Sequence, residues 1–517
     1  MLIKLIWRLL LPALLLAAFA LQAKAALTAN DFFNPDVLQE VRLQIHDWGR
    51  LKDHFSEDTY YPANLDWRGV VVQNLGVRSR GRSSRSPIKP SLHLDMNHYQ
   101  DQTFLGIKGF NLKANDEDAS FLKERLSMLM FQRMGLPASR ETHARLYING
   151  QYAGLYLIVE EVHKDYLMRN FGEDKGYLYG YNPPEDRYQF EYLGPDPNSY
   201  SPLPFEPKTH ETDPDPKPLE AMIRTINQAS DSDFPSAIAE YLDLKMFVTH
   251  VAIETFVADL DCILGDRLGM DNFYLYRFRG KNLSQFIAWD KDQAFSAADR
   301  DIWKNARGNV LMRRALAIPE IRNAYMEALV KSAVLAGGPN GWLQQEMARE
   351  FNQIRTAALE DPFKQYVDDS EAHLDSSNDI FLAESARVSA FAGDRSDSIF
   401  AQVKAGGFRL SPDGPSLTDI GVVSRATGNT GSLTPGAAAA IYGTNLSATT
   451  ATADPANLPL TLGGVIVFIN GFAAPLQSVS PTQINLMVPP QVRPDSAPVT
   501  VFSSGLLGNT VTVNVDR

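Results

Sequence analysis

Apolar and polar positions alternate along "VVVQNLGVRSRG" and "PSLHLDM", and a period of two predicts strands on either side of a loop. "FLGIKGFNLKAND" reads as a further strand ending in a polar turn. In "DASFLKERLSMLMFQRMG" the period changes. Phe121, Leu122, Leu126 and Met130 recur at helical spacing, and Gly135-Leu136-Pro137 supplies the stop. "HARLYING" and "YAGLYLIVEEV" predict a hairpin across Asn149-Gly150, a strong short-range turn signal.

Residues 172–218 hold much Pro, Asp and Tyr with no sustained period, and read as a long surface excursion. From "KPLEAMIRTINQA" through "AIAEYLDLKMFVTHVAIETFVADLD" the pattern is helical. Two short strands follow, "NFYLYRF" and "SQFIAW", and then helices to about residue 405. A β-rich part followed by a helical part with one inserted strand pair predicts an α+β body of two lobes.

From about Leu417 the chain changes character. Gly, Thr, Ser, Pro, Val and Ala dominate, charges become rare, and "AAAAIYG", "GGVIVFING", "INLMVP" and "APVTVFSS" are bounded by turn residues. Short strands at this spacing predict a small all-β sandwich over 417–517. The runs "TPG", "YGTNL" and "VSPTQINLMVP" also resemble IPT/TIG-like immunoglobulin-fold modules, which implies a spacer or adhesion role and no catalytic residues there.

The first 25 residues read differently from the rest. Lys4 and Arg8 precede an apolar run from Leu9 to Leu21, and Ala23-Lys24-Ala25 has the small-x-small form of a cleavage site. That run is short for a bilayer span, so the expectation is a cleaved signal peptide (1–25) and a body over 26–410. Localisation is then extracytoplasmic, secreted or periplasmic, with no stable membrane span after cleavage. The single Cys262 excludes an intramolecular disulfide and reads as a small core residue.

The formal net charge of -12 argues against a nucleic-acid partner. Against that balance, "VRSRGRSSRSPIKP" carries Arg78, Arg80, Arg82, Arg85 and Lys89 with no acid, either a local anion site or a solvated loop. The acids concentrate elsewhere. "SQFIAW" runs as a buried strand into Asp290-Lys291-Asp292, and residues i and i+2 of an extended segment project to one side. Two carboxylates held there need a partner. A divalent cation such as Mg²⁺ or Mn²⁺ suits hard oxygen ligands; the alternative is that both acids are solvated or paired with Lys or Arg. Upstream, the helix "LKMFVTHVAIETFVADLD" ends in Asp259 and Asp261, and a loop leads to Asp271-Asn272. Helix, acidic loop, strand pair, acidic strand end is the order of parts used for phosphoryl transfer in protein kinases.

Several of these runs, taken together, carry a resemblance: "RGRSSRSPIKPSLHL", the stretch from "GFNLKANDEDASFLKERL" to "YAGLYLIVEEVHKDYL", "DNFYLYRF" and "FIAWDKDQAF". They look like the spore coat protein H (CotH) kinase-like family over about residues 65–405. The resemblance implies a two-lobed atypical protein-kinase-like fold that binds ATP with Mg²⁺ or Mn²⁺ and phosphorylates Ser or Thr of a protein substrate. It implies Asp290 as a metal ligand with Asp292 beside it, and Asn272 as a second-metal or loop-fixing ligand. Asp261 would be the catalytic Asp, with Asp259 its rival. Arg80 and Lys89 would face the phosphates, and Glu160 in "VEEV" would mark the adenine-side hinge, unless it only ties strands together. Lys113 would be a nucleotide-side lysine held by Glu124, unless both are surface charges. The rival class is a non-catalytic surface protein that uses the same scaffold for recognition.

Overall fold

Burial alternates residue by residue along Gln39–Ile45 (β1), with Val41, Leu43 and Ile45 inside and the residues between them exposed. Six more strands complete a closed barrel with it: β2 (Tyr61–Trp67), β3 (Val70–Ser79), β4 (Leu92–Asp95), β5 (Gly109–Lys113), β6 (Glu141–Ile148) and β7 (Gln151–Glu160). Their order around the barrel is β1-β2-β3-β4-β5-β7-β6. Closure comes from β1 and β6, which pair in parallel. The computed structural model describes residues 26–82, 84–184, 187–266, 269–367 and 373–516, so the expected signal peptide lies outside the described residues.

Two short helices, α1 (Ala29–Phe32) and α2 (Trp48–Asp53), flank β1. Phe32 of α1 enters the barrel core edge-on to Trp67 at 5.3 Å and to Phe104 at 4.8 Å. The Trp67 indole N–H donates to Gln39 Oε1 at 3.0 Å, so the polar groups buried with these rings are satisfied. At the β6–β7 turn, Asn149 (φ 51°) and Gly150 (φ 81°) are both left-handed, as a two-residue hairpin turn demands.

Between β5 and β6 runs α3 (Lys123–Arg133), an internal helix in which even Lys123, Glu124 and Arg125 are buried. Arg125 is paid for by Glu346 at 3.2 Å and Glu350 at 2.5 Å. After β7, α4 (Lys164–Phe171) leads into a second, four-stranded sheet. Its strands are β8 (Tyr177–Tyr181), β9 (Phe205–Pro207), β10 (Phe273–Arg277) and β11 (Ser284–Ala288), in the order β11-β10-β8-β9.

Helices α5 (Lys217–Gln228), α6 (Phe234–Ile238) and α7 (Leu244–Phe256) connect β9 to β10. Four more follow β11: α8 (Val310–Ala317), α9 (Pro319–Ala336), α10 (Trp342–Glu360) and α11 (Asn378–Ala405). A small hairpin, β12 (Gln365–Val367) and β13 (His373–Asp375), interrupts the last two helices. The largest apolar core forms where α7, α9 and α11 meet α3 and the second sheet.

Residues 172–218 depart from the expected surface excursion. They supply β8 and β9, and they bury Tyr179, Tyr188, Phe190, Tyr200 and Phe205. The strands are too short to show a period, and their apolar content is aromatic and interspersed with Pro and Gly.

Beyond Ser416 the chain forms two five-stranded sheets ending at Val515. Val467, Val499, Ile441 and Leu486, drawn from both sheets, share one core. This part is fastened to the helical body through Asn470. Its Oδ1 accepts from Gly338 N–H at 2.7 Å and its amide donates to Pro339 O at 3.0 Å. The molecule is thus a mixed α/β protein with a strand-rich C-terminal part. Among the described residues no helix is long and apolar enough to cross a membrane.

Candidate functional site

Three elements, β5, α3 and the segment just past β11, converge at the end of β5. Lys113, its last residue, is only 6% exposed, and its ammonium contacts carboxylates from two directions. Glu124, in the first turn of α3, approaches from one side. Asp290 and Asp292, just past β11, approach from the other, with Asp292 Oδ2 at 2.9 Å. One oxygen from each of Glu124, Asp290 and Asp292 lies within 4.8 Å of the others. Asp290 has a left-handed backbone (φ 53°), so the strand end is not simply extended as the i, i+2 argument supposed. Both acids nonetheless meet on the Lys113 ammonium.

Three carboxylates around one ammonium leave negative charge in excess, and the ionisation of the group records it. Burial would lower Lys113, but Asp290, Asp292 and Glu124 hold it well above its ordinary value. Burial pushes Glu124 up to about 8. Asp292 is raised by burial and by the charge of Asp290. Asp290 alone goes down, because Lys113 and Arg80 together outweigh the effect of its burial. Glu117, which accepts from Gln293 at 2.7 Å, is pushed up to about 8 by burial and by Asp292 and Asp290.

A divalent cation fits this donor set. All the donors are hard oxygens, the charge is unbalanced, and the buried Glu124 Oε1 has no hydrogen-bond partner among the described residues.

The acidic loop lies next to this cluster. Asp261 follows α7, and Asn272 immediately precedes β10. The Asn272 side chain donates to Asp261 O at 3.0 Å and to Asp261 Oδ2 at 2.7 Å. Asn272 (φ 57°) and Ala258 (φ 52°) are both left-handed. Non-glycine residues persist in that region where surrounding contacts over-determine the backbone. The other Asp261 oxygen, Oδ1, is buried with no partner among the described residues. Burial, with Asp271 and Asp259 nearby, pushes the Asp261 carboxyl up to about 8. A carboxylate of this kind takes up a proton readily near neutral pH. Asp259 is the more enclosed of the two, since it faces the Lys291 ammonium at 3.3 Å.

Other expected residues lie apart or are engaged elsewhere. Arg80 sits near the cluster, its guanidinium 5.6 Å from the centre of the Trp289 ring. The phosphate-facing expectation for Lys89 is corrected by its surroundings. Its ammonium is buried and donates to Ala114 O at 3.1 Å, Leu155 O at 2.8 Å and Asp361 Oδ2 at 2.8 Å. An ammonium has three donors, and all three are spent inside the protein.

Glu160 ends β7, but its carboxylate accepts from Arg140 at 2.6 Å and from Arg169 at 2.5 Å. That side chain serves the fold. Lys291 and Glu254, whose ammonium and carboxylate are 2.8 Å apart at zero exposure, are functional candidates that the sequence pattern does not single out. The only available signal was the lysine set between two acids.

The class these features describe is kinase-like, and comparison with known proteins agrees. Residues 77–372 match the family described as CotH kinase protein, and the chain belongs to that family. "Inner spore coat protein H" of Bacillus subtilis (strain 168) is 26% identical over 342 residues, covering 64% of this chain and 91% of that protein. An "Inner spore coat protein H-like protein" of the same organism is 24% identical over 267 residues, covering 51% of this chain and 73% of that one. The proinflammatory kinase CtkA of Helicobacter pylori, a solved structure, aligns over 61% of this chain and 94% of its own at 12% identity, with a TM-score of 0.25. A TM-score that low has no bearing on the fold.

Proposed function

We propose that the chain is an extracytoplasmic protein kinase that moves the γ-phosphoryl group of ATP to a Ser or Thr hydroxyl of a protein substrate, with Mg²⁺ or Mn²⁺. One observation carries this reading: Lys113, Glu124, Asp290 and Asp292 meet at one point beside a loop that buries Asp261 against Asn272. Lys113, held by Glu124, binds a phosphate oxygen, and Arg80 adds positive charge at the open side. Asp290 and Asp292 would hold the cation, with Glu124 within reach. When bound, the cation neutralises charge on the phosphates. Asp261 orients the acceptor hydroxyl and takes its proton. Its raised pKa suits that task near neutral pH. Most of the rate comes from positioning and charge stabilisation.

The same reading takes residues 26–410 as a two-lobed kinase-like domain and 417–517 as an immunoglobulin-like module. The spore coat name of the Bacillus relative and the N-terminal sequence pattern support an address outside the cytoplasm.

The test is incorporation of labelled phosphate from ATP with Mn²⁺ into the protein itself and into envelope proteins, beside Asp261→Ala and Asp290→Ala. Incorporation in the wild type that both variants lose supports the reading; none in the wild type removes it. A second reading, recognition without turnover, is favoured by a cavity of about 790 Å³ at the junction of α9, α11 and the C-terminal sheets, lined by Phe400, Phe408 and Arg493. Sites of that volume take small ligands.

A further inference from the structure

Asp290 and Asp292 turn toward Lys113, which leaves Lys291 on the opposite side of the same strand end. There its ammonium is fully buried, donates to Glu254 Oε1 at 2.8 Å and to Asn272 O at 3.0 Å, and forms an ion pair with Asp259 Oδ2 at 3.3 Å. Glu254 and Asp259 also lie close to the Cys262 thiol, and both acids are ion-paired with the Lys291 ammonium.

Each of these three partner residues in turn touches the Asp261 loop. The second Glu254 oxygen accepts from Ile263 N–H at 3.2 Å. The second Asp259 oxygen accepts from Asp261 N–H at 3.0 Å. Asn272, whose carbonyl Lys291 holds, grips Asp261 through its side chain at 2.7 Å. A single ammonium therefore ties down the loop from before and after Asp261, and it belongs to the segment that carries Asp290 and Asp292.

The backbone around it is left-handed at Ala258, Asn272 and Asp290, a conformation that relaxes unless something holds it. Stability alone is a weak reason for such an arrangement, since apolar residues of similar volume replace buried ion pairs at little or no cost.

We propose that Lys291 is a positioning residue that fixes the Asp261 loop in register with the Asp290–Asp292 strand end. Its catalytic meaning rests on the kinase reading, whereas the clamp itself is measurable without turnover. Because K291M takes the lysine's charge away from the buried Glu254, which still faces His250 Nε2 at 3.3 Å, the informative variant is the charge-balanced K291M/E254Q, compared with wild type by thermal unfolding and amide hydrogen exchange.

In the folded double variant, the Asp261 and Ile263 amides are expected to exchange at least 30-fold faster, with β5 and β10 unchanged. If the wild type phosphorylates, kcat falls at least 100-fold while KM for ATP stays within 3-fold. Unchanged protection at both amides in a folded variant overturns the clamp. So does a parallel loss of protection in β5 and β10, which would make Lys291 an ordinary part of the core. Should the wild type show no turnover, the kinase reading fails and the exchange data alone decide the clamp.

Discussion

Replacing Lys113 with Met removes the one cation that, among the described residues, directly contacts Glu124, Asp290 and Asp292, while nearly preserving volume. The three acids then face one another with oxygens within 4.8 Å. At an effective dielectric constant near 20, each ionised pair at that distance repels by roughly 3 kcal/mol. Breaking a buried ion pair from one side costs about 3–5 kcal/mol in comparable cases. Together these put the loss at about 3–5 kcal/mol at pH 7.5, a drop in Tm of roughly 4–6 °C for a body of this size. It stays at that level because Glu124 escapes part of the repulsion by keeping its proton.

A cation binding among the acids would reverse much of the loss. At 100 times its Kd it returns about 2.7 kcal/mol. The assay is thermal unfolding of wild type and Lys113→Met in chelator and in millimolar Mn²⁺. The variant is expected to be rescued by Mn²⁺ more strongly than wild type, because Lys113 no longer competes for the same oxygens. Equal Mn²⁺ shifts in the two proteins, or a variant as stable as wild type in chelator, would refute both the charge accounting and the metal assignment.

Three other outcomes follow from the same geometry. Glu124 is raised from 4.5 to about 8, so between those values the folded state holds more protons than the unfolded one and stability falls as pH rises. Glu124→Gln should flatten that decline, read as urea midpoints at pH 5 and pH 8. Asp261→Asn should cut phosphorylation at least about 100-fold, within the range for loss of a general base, and should erase a wild-type rate that climbs toward pH 8 as Asp261 loses its proton. Lys89→Met should cost about 3–5 kcal/mol in a urea melt by stranding the buried Asp361, yet leave the Kd for ATP within 2-fold. A large change in nucleotide affinity would return Lys89 to the phosphate site.

Local pattern was enough for much of the framework. The Asn149-Gly150 turn, the helix stopped at Gly135 and the strands around 273–288 are each set by neighbours in sequence, so their residues announce them. The alternation at Asp290-Lys291-Asp292 likewise signalled that charge had been placed on purpose at a strand end. Where the pattern was short or aromatic, as in β8 and β9, the elements were missed. Contact across a sheet, not periodicity, makes those residues strands.

What the sequence settled by itself, then, is which side chains carry charge and which stretches alternate or turn. Only the tertiary structure decided which charges meet. Lys113 and Asp290 are 177 positions apart, and Lys89 and Asp361 are 272 apart. Two lysines of equal promise in the chain received opposite duties. One was closed in by backbone carbonyls and an aspartate, and the other was left among acids with charge to spare. The reason is physical: the ionisation and reach of a buried charge depend on everything packed around it, and those neighbours come from distant parts of the chain.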